Sequence, residues 1–263
     1  RIARDLREHG LAFAHIEEFF PEGKVFPILK EYAGELLPKA KIMVEKDFNI
    51  EFWQETDVLN FNNPFLALAL EQKVLRVAAV YLGVLPKLFY YSLWLTRSVS
   101  KDLPRVRSQN WHRDPDDKRM CKMFLYLNDI DENHGPFNYI KGSQYGGRWA
   151  HIYPQRPPRG SYPPQGEVER LINSNDIKIC TGRAGTIIFA DTAGLHRGGY
   201  AIGGERIMFT AEYSSKATFR PPRYGMPANL DNIVKDLPKL ARYAVSHKND
   251  WVRFLNRISD FSR

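Results

Sequence analysis

Cysteine is nearly absent from this chain: 263 residues hold two, Cys121 and Cys180. They make at most one disulfide and belong to no CxxC pair, which excludes a disulfide scaffold and a cysteine-built zinc module and makes a reduced, cytoplasmic setting the expectation. Long apolar runs are missing too. The longest nearly uncharged stretch, Val77 to Leu85, contains Gly83 and is far short of the roughly 20 residues that cross a bilayer. Arg1 to Gly10 carries charges every few residues and no apolar centre, so it does not read as a secretory signal. Neither charge sign dominates: 38 Lys+Arg face 30 Asp+Glu. The basic excess is spread along the chain, whereas a polyanion footprint concentrates in a stripe. No nucleic-acid partner and no membrane partner are expected, and a small acidic ligand fits the excess as well.

What is present is ordinary for a globular protein: 43% hydrophobic and 26% charged residues. That suffices for one sizeable core, and we read 1–263 as a single domain. Its texture changes twice. Residues 1–87 read mostly helical, with apolar residues at helical spacing across Phe19 to Lys46 and again across Leu66 to Leu82, where Gly83 and Pro86 end the run. From about 88 to 215 the texture is β: Phe89 to Leu95, Met123 to Leu127, Gly185 to Phe189 and Arg206 to Tyr213 are rich in aromatic and branched residues, with turn residues between them. An excursion over 146–170, rich in Pro and Tyr, is too Pro-dense for a central strand, and its length suits a lid. The tail, 228–263, returns to helical spacing. The fold class is therefore mainly β with flanking α-helices, around a sandwich or barrel of about eight short strands.

Within Gln109 to Pro115, His112 and Asp114 stand two apart at the end of an expected strand, so both side chains project from one face. His196, in the Gly-rich stretch Asp191 to Gly199, supplies a second imidazole. Two His and one carboxylate make the facial triad of non-haem Fe(II) oxygenases, which leaves positions open on the metal. Arg206 follows across the Gly203-Gly204 turn, on a strand expected to pair with the one leading from His196. A guanidinium on a barrel wall needs an anion, and its fork matches a carboxylate. The distal carboxylate of 2-oxoglutarate is the natural partner; structural pairing with Glu212 or Asp191 is the alternative.

Other groups read as less informative. Gln109 lies off the ligand face of an unbroken strand, Asn110 and Tyr126 either line the pocket or pack, and Asp116 and Asp117 read as a solvated turn. His9, His15, His134, His151 and His247 lack a carboxylate at ligand spacing, and four of the five read as surface residues.

His112-Arg113-Asp114, the run Phe124 to Phe137 with its Asn133-His134-Gly135-Pro136 turn, Tyr139 to Gln144, Ala184-Gly185-Thr186, and His196-Arg197-Gly198-Gly199 with Arg206 together resemble the phytanoyl-CoA dioxygenase family in order and spacing. The resemblance implies a double-stranded β-helix (jelly roll, cupin-like) core holding Fe(II) through His112, Asp114 and His196. It also implies 2-oxoglutarate bound at Arg206, and O2 and 2-oxoglutarate consumed to give succinate and CO2 while a small organic substrate is oxidised. Asp114 stands where a halogenase would have Gly or Ala, so the resemblance points to hydroxylation. Where the family tends to carry a small hydroxyl residue, this chain has Gly198, and the acyl-CoA substrate is not carried over. The rival readings are a cupin-like binding protein without redox chemistry and a non-redox isomerase or lyase on the same metal face. Oligomeric state has no signature in the sequence.

Overall fold

The computed structural model describes residues 1–42, 49–54, 58–100, 103–156, 159–218 and 220–246. Helix α1 (Ile2–His9) ends at Gly10, whose φ of 72° lies in the left-handed region and whose amide closes the helix onto Leu6. The chain passes directly into β1 (Leu11–His15). The side chain of His15 then caps α2 (Ile16–Phe19), and Glu18 returns the bond to the His15 amide. Next come α3 (Val25–Ile42), β2 (Asn49–Gln54), α4 (Pro64–Ala69) and α5 (Gln72–Leu82). Asn63 accepts from the Phe65 amide to start α4, and Gly83, at φ 74°, ends α5. The remaining elements are β3 (Lys87–Thr96), a 3-10 turn at Arg107–Gln109, β4 (Cys121–Tyr126), β5 (Phe137–Ile140), α6 (Glu167–Leu171), β6 (Ile177–Cys180), β7 (Thr186–Ala190), β8 (His196–Gly198), β9 (Arg206–Ser214), α7 (Leu230–Val234) and α8 (Lys239–Val245).

Two antiparallel sheets face each other. The larger has the order β1-β7-β4-β9-β3-β2, and the smaller the order β6-β5-β8. Strand alternation divides the large sheet's side chains. Tyr91, Leu93, Met123, Leu125, Ile187, Phe189, Phe209, Ala211 and Tyr213 turn to the helices and join Leu6, Leu66 and Leu75 in the main core. The alternate residues Phe124, Tyr126, Ile188, Ala190 and Met208 turn inward and meet Phe137, Tyr139 and Cys180 of the small sheet. Each fully buried aromatic or branched side chain stabilises the fold by about 1.5–3 kcal/mol, so the helical layer holds the large sheet while the inner face stays available for a site. This is the double-stranded β-helix expected from the sequence, with helices on one face.

Several expectations need correction. The mostly helical stretch 1–87 contributes two strands, β1 and β2, one at each edge of the large sheet. The run Leu66 to Leu82 is two helices rather than one. Asp116 and Asp117 are not a solvated turn: Asp116 is buried and pairs with Arg220 at 2.7 Å, and Asp117 accepts from the Ser215 hydroxyl at 2.6 Å. Both stitch the loop before β4 to the segment after β9. The tail forms α7 and α8 within the described residues, and its part beyond Ser246, like residues 43–46 of the first expected helix, lies outside them. No helix among the described residues is long and apolar enough to cross a membrane.

Candidate metal centre

The ligand-bearing segments are brought together by backbone pairing. His112 and His196 exchange amide-to-carbonyl bonds of 2.9 and 3.0 Å in an isolated antiparallel bridge, and the Asp114 amide donates to Thr192 O at 2.9 Å. The expected strand at 109–115 is therefore only bridged: Gln109 sits in the preceding 3-10 turn, buried, with its side-chain oxygen on the Val106 amide. Between the two candidate ligands, Arg113 runs the other way and binds four carbonyls, those of Ser143, Ala193, Trp149 and Ile152, at 2.6–3.2 Å. It ties the His112–Asp114 segment to the turn before His196 and to the 146–170 excursion.

His112 Nε2 lies 3.8 Å from one oxygen of Asp114, and His196 Nε2 lies 3.5 Å from the other. One ligand atom from each of the three residues falls within 4.8 Å of the other two, the one such group of His, Cys, Asp or Glu among the described residues. The rings of His112 and His196 are 4.1 Å apart. In both, Nδ1 faces a backbone carbonyl, Asn110 O at 2.9 Å and Gly194 O at 3.0 Å. A carbonyl only accepts, so Nδ1 carries the proton and the Nε2 lone pairs point at the shared space. Burial lowers both imidazole pKa values, that of His196 to about 3, which keeps them in the neutral, ligating form. For Asp114 burial acts the other way, but the Lys122 ammonium, through its charge and its hydrogen bond, opposes it and holds the carboxyl below the usual range. Two neutral imidazoles and one carboxylate on a common face are a donor set suited to a divalent ion such as Fe(II).

Arg206 enters from the facing sheet. It does not lie on a strand paired with His196: β9 pairs with β3 and β4, whereas β8 pairs with β5. The turn between them crosses the barrel, so the guanidinium and His196 approach from opposite walls. Arg206 is 4% exposed. It donates to Gly135 O at 2.5 Å and to Thr96 Oγ1 at 2.8 Å, and its Nε has no partner. The two structural partners weighed from sequence are engaged elsewhere, Glu212 with Lys122 at 3.1 Å and Asp191 with the Tyr81 hydroxyl. Among the described residues no carboxylate pairs with Arg206. Burial lowers its pKa against the opposing effect of Tyr126. A Cβ at Gly198 would stand 3.9 Å from Arg206 Nη2, an ordinary contact distance, so position 198 borders the guanidinium.

Three features were not read from the sequence. Lys122 on β4 is buried and bridges Asp114 at 2.7 Å and Glu212 at 3.1 Å. A lysine within Cys-Lys-Met-Phe-Leu-Tyr, and an acid at the matching place in β9, were the available signals, since such charges are seldom buried unpaired. Arg113 is the second. The third is Tyr162 of the excursion, 62% exposed, whose ring stacks on His112 at 5.4 Å and 10°. Asn110 takes part through its carbonyl, whereas Tyr126 packs in the inner core, its hydroxyl donating to Cys180 O and accepting from the Phe137 amide. His247 lies outside the described residues.

A scan against protein-family models finds no match, and a search of curated proteins finds none either. Similarity appears in structure. The epimerase SnoN, in complex with Fe3+, alpha ketoglutarate and nogalamycin RO, superposes with TM-score 0.57 at 16% identity, over 91% of this chain and 90% of its own. AviO1 from Streptomyces viridochromogenes Tue57 gives 0.58 at 17%, over 84% and 96%. EctD from S. alaskensis, with 2-oxoglutarate and 5-hydroxyectoine, gives 0.56 at 18%, over 86% and 84%. At these identities the likeness establishes the fold alone.

Proposed function

We propose that this chain is a non-haem Fe(II)/2-oxoglutarate-dependent oxygenase of phytanoyl-CoA dioxygenase type that oxidises, by hydroxylation, a small organic molecule. The observation that carries the reading is a pairing: neutral His112 and His196 converge with Asp114 on one point, while a buried guanidinium without a carboxylate stands on the facing sheet, 3.9 Å from where a Cβ on Gly198, two residues after His196, would lie. Either half has ordinary explanations. Together they fit a metal chelated by a 2-oxo acid whose far carboxylate reaches Arg206. SnoN and EctD have this fold and are seen with 2-oxoglutarate or alpha ketoglutarate, which supports the choice of cosubstrate.

In this reading His112, Asp114 and His196 hold the iron, which supplies the oxidising chemistry that converts O2 and 2-oxoglutarate to succinate and CO2 while the substrate is oxidised. The chain's own side chains supply geometry and charge. Arg113 and the backbone bridge fix the two imidazoles before any ligand arrives, so little reorganisation is needed. Arg206, braced by Thr96 and Gly135, orients the 2-oxo acid in one direction. Gly198 leaves room for its carboxylate. Tyr162 of the excursion stacks on His112 and would shield that side of the ring. Asp114 as a third protein ligand leaves no seat for a halide, which favours oxygen transfer.

The test is succinate formation from 2-oxoglutarate with Fe(II), ascorbate and a panel of small substrates, run with and without substrate. Turnover that disappears in His196→Ala supports the proposal. Absence of any coupled or uncoupled turnover would count against it and in favour of a barrel without redox activity.

A further inference from the structure

Lys122 is a cation buried against a candidate metal ligand. Its ammonium donates to Asp114 Oδ2 at 2.7 Å, the oxygen that also faces His196 Nε2 at 3.5 Å. Its second anionic neighbour is Glu212, directly across the ladder between β4 and β9. Glu212 is 2% exposed and Asp116 is the next acid nearby, itself engaged by Arg220. The ring of Tyr90 lies 5.4 Å from the ammonium, and Arg223 stacks on the same ring. Asp114 therefore meets the metal site already partly neutralised. One of its oxygens is shared with a fixed positive charge, and that charge is itself balanced from behind by Glu212.

A divalent ion at the triad is a second cation within a few ångströms of Lys122. Repulsion between charges this close, in an interior where an effective dielectric near about 20 applies, shifts a binding equilibrium by on the order of tenfold or more. Loss of one hydrogen bond that orients a ligand typically costs metal affinity about 10–100-fold. A substitution that removes the charge but retains a polar donor separates these effects best. Lys122→Gln does this with a side chain one atom shorter.

We propose that Lys122, acting through Asp114 and backed by Glu212, is a built-in counter-cation that lowers the centre's affinity for a divalent metal and so keeps the ion exchangeable. The inference rests on the metal centre proposed above. It makes the strength of metal binding a property of two strand residues outside the proposed ligand set.

The test titrates the metal-free full chain with Co(II) in air and with Fe(II) under argon at pH 8, against a competing chelator. Lys122→Gln is expected to bind each ion at least tenfold more tightly than wild type. Glu212→Gln, which leaves Lys122 unbalanced, is expected to bind more weakly. A role confined to packing would weaken both variants or change neither. Equal or weaker binding by Lys122→Gln overturns the inference; if that variant fails to fold, unchanged or tighter binding by Glu212→Gln overturns it. Wild type that takes up no ion, or whose uptake survives His196→Ala, sinks the metal centre and this inference with it. Wild-type uptake that His196→Ala abolishes, with no opposed response to the two charge changes, sinks the inference alone.

Discussion

Replacing Arg206 by Met removes a guanidinium that the fold keeps at 4% exposure without an acidic partner. Hydrogen bonds to a charged group contribute about 1.5–3 kcal/mol each, and truncating one member of a desolvated charge pair costs about 2–5 kcal/mol. At about 1.4 kcal/mol per tenfold, the apparent requirement for 2-oxoglutarate should rise between about 30-fold and several thousand-fold. The substitution also strips a donor from Gly135 O and from Thr96 Oγ1, so a loss of stability of about 1–3 kcal/mol is expected beside the kinetic effect. The two are separable with a shorter cosubstrate. Succinate-type assays run with 2-oxoglutarate and, by consumption, with 2-oxobutyrate, which lacks the distal carboxylate, should show strong preference for the diacid in wild type and almost none in Arg206→Met. Arg206→Lys keeps the charge but not the fork and should fall between. A variant that folds, and keeps both the low 2-oxoglutarate requirement and the preference, would refute the role assigned to Arg206.

Other expectations follow from the same geometry. Gly198→Ala should be mild, because its Cβ would make ordinary contacts 3.7 Å from Ser108 O and 3.9 Å from Arg206 Nη2, whereas Gly198→Val should raise the 2-oxoglutarate KM well above its effect on melting temperature. Gly194→Ala would set a Cβ 2.1 Å from the buried Tyr139 hydroxyl; overpacking of about 1–3 kcal/mol should appear as a lower melting temperature. Because Gly194 O also holds His196 Nδ1, weaker metal uptake should accompany it. Asp191 is fully buried, and desolvation raises its pKa to about 6 although Tyr81, the Met120 amide and the Ala193 amide favour the ionised form. The folded protein then binds a proton more tightly than the unfolded chain. The contribution is fully present below the ordinary carboxyl pKa and is lost as pH rises through about 6, by at most about 3 kcal/mol at about 1.4 kcal/mol per unit. Denaturant unfolding at pH 4 to 7 should show this decline in wild type and a flatter profile in Asp191→Asn; equal slopes would contradict it.

The parts of this fold legible in the sequence were those whose signal is local. β3, β4, β7 and β9 are runs of aromatic and branched residues, and each formed within a residue or two of its expected bounds. β1 was missed because Leu-Ala-Phe-Ala-His is short, carries two alanines and lies between helices; its pairing with β7 is a tertiary event with no local mark. β2 escaped for a related reason, since its register breaks at a bulge between Glu51 and Trp53. The convergence of His112, Asp114 and His196 was legible because metal-binding chemistry restricts residue type and spacing. Their bridge to each other was not, nor was the crossing that sets Arg206 on the opposite wall, because both depend on how the two sheets close. Lys122 and Glu212 look like isolated charges in their own strands and acquire meaning only when β4 and β9 pair.

The central claim is that His112, Asp114 and His196 together bind iron in a form that accepts a 2-oxo acid. Anaerobic titration of the Fe(II)-loaded protein with 2-oxoglutarate tests it most directly, by the weak visible charge-transfer absorption of the chelate. The account predicts that the band grows to saturation in wild type, needs far more 2-oxoglutarate in Arg206→Met, and is absent in His196→Ala. A wild type that holds Fe(II) yet develops no band at any 2-oxoglutarate concentration would contradict it.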